Sequence, residues 1–237
     1  MFINTNQRTN AIEIMDDFDM EGEILLEALD KIAKINQLLG GNKLTLQGVK
    51  RLISKINTND ELIIVDVGCG NGDMLRTLAD YANENNLNFK LIGIDANPFT
   101  IAYAEKLSSQ YPTISYQCKD IFDAKFKTLK YDIVLCTLTL HHFKDDEIIQ
   151  LMDVFYNNAS VGIVINDLER SAIAYRLFQG LCFVFQLNAM SRQDGLVSIL
   201  RGFKKKELQA FSKQLNLTKY TIDWKWAFRY QWIIQKK

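Results

Sequence analysis

Three short runs in this chain combine carboxylates with glycines in a way that could hold a small charged ligand. The first is Asp66-Val67-Gly68-Cys69-Gly70-Asn71-Gly72-Asp73, which follows the apolar stretch LIIVDV at 62–67. Alternating glycines let a backbone turn sharply and approach a ligand closely. A helix that starts there offers free N–H groups and a positive dipole end. The second run is Gly93-Ile94-Asp95-Ala96, where a carboxylate at a strand end can accept both hydroxyls of a ribose. The third is Lys119-Asp120-Ile121, whose acid can accept from an exocyclic amine such as the 6-amino group of adenine while Ile121 lies against the ring.

The two nucleotide classes that use such a loop differ in charge. A dinucleotide fingerprint asks for a third small residue where Asp73 stands. A carboxylate there crowds and repels a pyrophosphate at the helix N-terminus. An NAD-dependent oxidoreductase is therefore opposed by Asp73. The acid-rich loop suits a cationic ligand with an amino group, and S-adenosylmethionine, with its sulfonium and ammonium, is such a ligand.

His141 and His142 are the only two histidines. They stand at the exit of the fourth apolar strand, where an acceptor would face a methyl group. A neutral imidazole can take the proton of a phenol or enol as it is alkylated. The competing reading is that one of them only packs or caps a helix. Alignment alone can carry methyl transfer if the nucleophile is already an anion. Asn166, Asp167 and Arg170 follow the fifth strand on the same rim. Asp167 could orient a hydroxyl or cap a helix. Arg201 and Arg229 could bind a substrate carboxylate or phosphate, or lie on the surface. Tyr175, with Phe178, Phe183 and Phe185, could line an apolar pocket or belong to the core.

The elements that must position these residues can be read from periodicity. Apolar runs at 62–67, 90–94, 132–138 and 161–165, with an alternating one at 114–118, read as strands. Helical stripes at 74–82, 98–110 and 145–157 separate them, with Asn97 and Pro98 suited to a helix start and Asp145 to a cap. Strands alternating with helices imply a doubly wound parallel sheet with helices on both faces. Before it, stripes at 21–39 and 45–56 read as two amphipathic helices, with Gly40-Gly41 ending the first and Asp19 able to cap it. After it come helices at 171–187 and 205–215, then two strands at 218–224 and 228–234 joined by a tight turn.

Lys+Arg and Asp+Glu each number 28, so the net charge is zero. That balance speaks against nucleic acid as the main partner. No apolar run approaches the ~20 residues of a membrane span, so no stable membrane insertion is expected. The four cysteines form no C-x-x-C pair and no Cys/His cluster of zinc spacing, so no metal is expected and the thiols read as reduced, in a cytoplasmic setting.

With VDVGCGNGD at 65–73, GIDAN at 93–97, KDIF at 119–122 and DIVLCTLTLHHF at 132–143, the chain resembles the class I S-adenosylmethionine-dependent methyltransferases. More narrowly, the LHH run is similar to that of small-molecule enzymes related to ubiquinone and menaquinone biosynthesis. EIMDD at 13–17, NDLERS at 166–171 and DGLVSILRGF at 194–203 resemble a bacterial subgroup associated with polyketide or phenolic-lipid pathways. The resemblance implies a Rossmann-like α/β fold with a seven-stranded sheet, order 3-2-1-4-5-7-6, whose C-terminal hairpin is antiparallel. It implies a cofactor site of Asp66, Gly68, Cys69, Gly70, Gly72, Asp95, Ala96, Asp120, Ile121 and Thr137. The residue readings above add His141 or His142 as a candidate base, and Asn166, Asp167, Arg170, Tyr175, Arg201 and Arg229 as candidates for the acceptor site. Residues 1–57 are expected to form a helical cap or lid over a domain at 58–237. The expected activity is methylation of an O or C atom on an apolar, phenolic or polyketide-derived small molecule. A cofactor-binding homologue that has lost transfer and acts as a regulatory partner is the alternative.

Overall fold

The computed structural model describes residues 3–56 and 60–236. Seven strands form one sheet in the order β3-β2-β1-β4-β5-β7-β6. They are β1 (Leu62–Val67), β2 (Phe89–Asp95), β3 (Ile114–Cys118), β4 (Tyr131–Thr137), β5 (Ala159–Leu168), β6 (Tyr220–Lys225) and β7 (Arg229–Gln235). The first five run parallel, and β7 is antiparallel to both β5 and β6. The expected sheet and terminal hairpin are therefore present. Central strands are apolar throughout because helices cover both faces. Alternate residues enter different cores. Val65, Ile163 and Trp232 face one layer, with Phe155 and Phe203. Ile64, Val164 and Ile233 face the other, with Leu75 and Leu78.

Nine helices complete the described chain: α1 (Glu23–Leu38), α2 (Gly41–Ile53), α3 (Asp73–Glu84), α4 (Pro98–Leu107), α5 (Ala124–Lys127), α6 (Asp145–Asn158), α7 (Ala172–Val184), α8 (Ala189–Arg201) and α9 (Lys205–Gln214). Asn97 caps α4 as expected, accepting from Thr100 N at 2.8 Å. Other caps differ from expectation. Gly22, with φ 98°, precedes α1 in place of Asp19, and α6 is capped at Lys144, whose N–H reaches Glu147 at 2.7 Å. Gly40 adopts φ 77° and starts α2 immediately, four residues ahead of the expected start. Helix α8 was not expected. Its stripe is weak and interrupted by Gly195, although Asn188 caps it through Ser191 N at 2.8 Å.

The two N-terminal helices do different things. Helix α2 is built into the sheet layer: Val49, Leu52 and Ile53 are buried against it. A Cβ on Gly48 would stand 2.5 Å from Val164 Cγ1, so only glycine permits this approach. Helix α1 and the segment before it lie over the carboxyl ends of the strands instead. The extension is thus part brace and part roof.

Candidate functional site

One cavity of about 1130 Å³ lies above the carboxyl ends of β1, β2 and β4, where open α/β sheets bind ligands. Its floor includes Asp66, Gly68, Cys69, Gly70, Asp95, Ala96, Asp120, Ile121, Thr137, His141, His142 and Arg229. Its roof is Phe18, Leu25, Leu29, Ile32 and Ile35 from the N-terminal segment and α1, and Leu177, Phe178 and Leu181 of α7 close one side.

The glycine loop is shaped by its neighbours. Gly68 has φ 67°, and a Cβ there would stand 2.4 Å from the Thr139 side chain. The N–H groups of Gly68 and Cys69 both donate to Ile94 O, at 2.8 and 3.1 Å, tying the loop to β2. Gly72 caps α3 with φ 77° and does not line the cavity; its role is the turn. Asp66 is buried, and its Oδ1 has no partner. Burial, then the charges of Asp73 and Asp95, push its carboxyl well up. A partnerless buried acid beside two others favours a cation above it, which fits a sulfonium–ammonium ligand and opposes a pyrophosphate. Asp95 accepts from Gly70 N at 3.2 Å and Asn97 N at 3.1 Å, and its carboxyl is raised by burial against the pull of those N–H groups. Asp120 is exposed on the cavity edge and accepts from Phe122 N at 2.8 Å. Burial also pushes the Cys69 thiol well up, so it acts as a small apolar wall. Thr137 Oγ1 lies 3.0 Å from Thr45 Oγ1, joining the floor to α2.

The two histidines are unequal. His141 is 2% exposed; its Nδ1 lies 2.7 Å from Asp167 Oδ1, and its backbone N–H donates to the same carboxylate at 3.1 Å. Its Nε2 is sealed and without a hydrogen-bond partner, 3.8 Å from Glu13 Oε1. His142 is partly open to the cavity, and its Nδ1 lies 2.6 Å from Asp16 Oδ1. With Nδ1 engaged by a carboxylate, Nε2 is the ring nitrogen left for another partner. His142 alone can present that nitrogen to a bound molecule.

Glu13, Asp16 and Arg201 complete the cluster. Arg201 Nη1 lies 2.6 Å from Asp16 Oδ2 and 3.4 Å from Glu13 Oε1, and its other nitrogens donate to the carbonyls of His141 and His142. Burial raises the Glu13 carboxyl, more than His142, the 2.7 Å bond from Ser198 and Arg201 lower it. Burial also acts to raise Asp16, but the hydrogen bond and charge of His142, then Arg201, outweigh it and hold that acid well below its ordinary range. Glu13, His141 and His142 bring three possible metal-ligand atoms within 4.8 Å of one another. The Arg201 guanidinium already supplies the cation beside them.

Of the residues expected to meet an acceptor, Arg201 and Arg229 line the cavity. The others are placed elsewhere. Asn166 is wholly buried and donates to Gly41 O at 3.0 Å and Thr45 Oγ1 at 3.1 Å. Asp167 lies within β5 and serves His141; Ser171 caps the next helix. Arg170 is fully buried, with both forks on Glu207 at 2.6 and 3.1 Å and a bond to Thr5 O at 3.0 Å. It binds α9 and the N-terminal segment to the sheet. Tyr175 borders a separate shallow groove with Arg192 and Leu196 of α8. These positions follow from β5 running three residues longer than its apolar core suggests.

Sequence reasoning held Glu13 and Asp194 only as parts of the EIMDD and DGLVSILRGF runs, gave them no role in the site, and passed over Arg8. The buried Asp194 carboxylate accepts from Ile14 N at 2.8 Å and Met15 N at 3.0 Å, pinning the roof to α8. Arg8 pairs with Asp145 at 2.6 Å and donates to the carbonyls of His141 and Phe143, both at 2.8 Å. The only local signal was the density of acids at 13–19.

Comparison with known proteins agrees with this geometry. Residues 64–162 match the family described as "Methyltransferase domain". A protein-lysine N-methyltransferase of Saccharomyces cerevisiae, EFM4, is 34% identical over 91 residues, which is 37% of this chain and 38% of that protein; the match thus spans well under half of the curated relative's length. The plantazolicin methyltransferase BpumL in complex with SAH shares the fold, with a TM-score of 0.64 at 18% identity over 88% of this chain and 89% of that one. Magnesium protoporphyrin IX methyltransferase from Synechocystis PCC 6803 with bound SAH gives 0.55 at 15% identity, over 92% and 88%. The CurJ carbon methyltransferase gives 0.60 at 13% identity, over 81% and 54%. Residues 64–162 thus match a methyltransferase-domain family, and the chain shares the fold of these methyltransferases solved with bound SAH.

Proposed function

We propose that this protein methylates an oxygen or carbon atom of an apolar small molecule, with His142 as general base and Asp16 as its orienting partner. The observation that carries this is the single cavity joining the glycine loop, Asp95 and Asp120 to His142 beneath an apolar roof. Asp66, Gly68, Cys69 and Gly70 would hold the methionine portion of the cofactor, Asp95 and Ala96 the ribose, and Asp120 and Ile121 the adenine, with Thr137 behind. When bound there, S-adenosylmethionine would supply an electrophilic methyl group, its S–CH3 bond breaking to leave the thioether S-adenosylhomocysteine. His142 Nε2 takes the acceptor's proton as its nucleophile forms the new bond, and Asp16 keeps the ring proton on Nδ1. His141 with Asp167 is a buried strut that fixes the backbone carrying His142. Phe18, Leu29, Ile32 and Phe178 exclude water and align the acceptor. The neighbours solved with plantazolicin analogues and the polyketide carbon methyltransferases support a small-molecule acceptor. The enclosing roof disfavours a lysine on a folded protein, the acceptor class of the yeast relative.

The test is transfer of labelled methyl from S-adenosylmethionine to a panel of phenols, enolisable polyketide mimics and lysine peptides, repeated with His142→Ala. Small-molecule product that the variant fails to form supports the reading. Product on peptides alone overturns it. Cofactor binding without product on any acceptor favours the regulatory alternative.

A further inference from the structure

Four arginines stand in or beside the cavity, and three have carboxylate partners: Arg8 with Asp145, Arg170 with Glu207 and Arg201 with Asp16. Arg229 has none within 4 Å among the described residues, although it is only 3% exposed. It opens β7, opposite Leu168 of β5, and lines the cavity. Its one side-chain hydrogen bond runs from Nη1 to Asn36 Oδ1 at 2.6 Å. Nε is buried and unpartnered, and Nη2 has no hydrogen bond among the described residues. The nearest acid that acts on it, Asp167, is occupied by His141 and the Leu168 N–H. A Cβ on Gly41 would stand 2.6 Å from Nη1, so glycine at the α1–α2 junction is what leaves room for the guanidinium. Burial lowers it to about 10, which leaves it charged at neutral pH.

A charge removed from water without a counterion is costly, and proteins keep such charges where a ligand completes the pair. We infer that Arg229 is the docking point for an oxyanion on the methyl acceptor, so that the substrate is an amphipathic acid rather than a neutral apolar phenol. Nη2 is the guanidinium nitrogen left to meet a carboxylate or phosphate oxygen, while Asn36 holds Nη1. Phe228 and Leu39 at the same wall and Phe178 across the cavity suit the acceptor's apolar body. This rests on the reading that the cavity takes the methyl acceptor.

Decanoate, decyl phosphate and decan-1-ol, titrated calorimetrically into the protein saturated with S-adenosylhomocysteine, separate the possibilities. At least one anion binds tenfold or more tightly than the alcohol, and the tighter of the two identifies the oxyanion. Arg229→Gln removes the preference while S-adenosylhomocysteine affinity stays within twofold of wild type, which also shows that the variant folds. Arg229→Lys retains part of the preference. Equal affinity for all three probes in the wild type overturns the inference. So does a loss of S-adenosylhomocysteine affinity in Arg229→Gln that Arg229→Lys restores, because the arginine then serves the cofactor's own carboxylate; methyl transfer as the activity would still stand. Conversely, a wild type that prefers the anions but cannot bind S-adenosylhomocysteine supports the oxyanion site and refutes the methyl-transfer reading.

Discussion

The two parts of the cavity, proposed above to take the cofactor and the methyl acceptor, are built by opposite means. Asp66, Asp95 and Asp120 sit at or just beyond the carboxyl ends of three neighbouring parallel strands, each followed closely by its own helix. Their placement is a property of short segments and the sheet. The acceptor half is assembled from far apart in the chain: Glu13 with Ser198, Asp16 with Arg201 and with His142, Asn36 with Arg229. Its geometry exists only once the whole chain has folded. On the proposed reading, local architecture secures the cofactor and long-range polar contacts set what it meets.

If this division is right, damage to each half registers in a different constant. The largest effect is expected from His142→Ala: turnover falls ~10²–10⁴-fold with cofactor affinity unchanged. The loss shrinks at high pH, where a phenolic acceptor ionises without help. Stopped assays beside calorimetry check both, and a fall in cofactor affinity of similar size would erase the boundary between the halves. Arg170→Ala comes next, and it acts on neither constant directly. Arg170 is fully buried while its partner Glu207 is 31% exposed. The cost therefore comes from emptying a packed site and stranding the carbonyls it serves, about 2–5 kcal/mol, read as a lower midpoint in urea unfolding. Asp95→Ala should weaken S-adenosylhomocysteine binding by about 2–3 kcal/mol, because ribose hydroxyls lose a buried acceptor. Unchanged affinity would remove Asp95 from the site.

The smallest expected effect is on pH. Asp16 and Asp167 are both held below the ordinary value of 3.8 in the folded chain. A lowered acid binds its proton more weakly folded than unfolded, so its stabilising contribution is complete above about pH 4 and is lost as pH falls below that. Glu13 is raised, so its contribution has the opposite sign: present at low pH and lost as pH rises above its ordinary 4.5. Melting curves of Asp16→Asn against wild type should diverge above pH 4 and converge below it. A constant gap across the range would show that the Asp16 carboxylate carries no net folding energy.

The same division explains what the sequence disclosed. The sheet was legible because buried parallel strands are apolar runs and each helix between them has its own stripe. The loop acids were legible because glycines and strand ends mark them locally. The histidine pair could be located but not ranked: what separates His141 from His142 is Asp167 on one side and Asp16, 126 residues away, on the other. Arg170 and Asn166 carry chemistry-bearing side chains at the right end of a strand, yet they point into packing, and nothing in residue type distinguishes the two outcomes. Helix α8 was missed because its buried face is made of Ser191 and Asp194 as well as Met190 and Ile199.

The seating of α2 has a consequence for synthesis. Its apolar stripe, Val49, Leu52 and Ile53, is covered by β5 and β7, and Thr45 meets Asn166 across 121 residues of chain. On a ribosome this helix emerges before β5 and β7 and waits for more than a hundred further residues before its partner surface exists. The nascent chain therefore carries an exposed amphipathic segment through much of translation, and its docking closes one of the longest loops in the fold. Helix α2 thus reaches its native contacts only after β5 and β7 have been made, and the Asn36–Arg229 contact beside it is completed in the same late step.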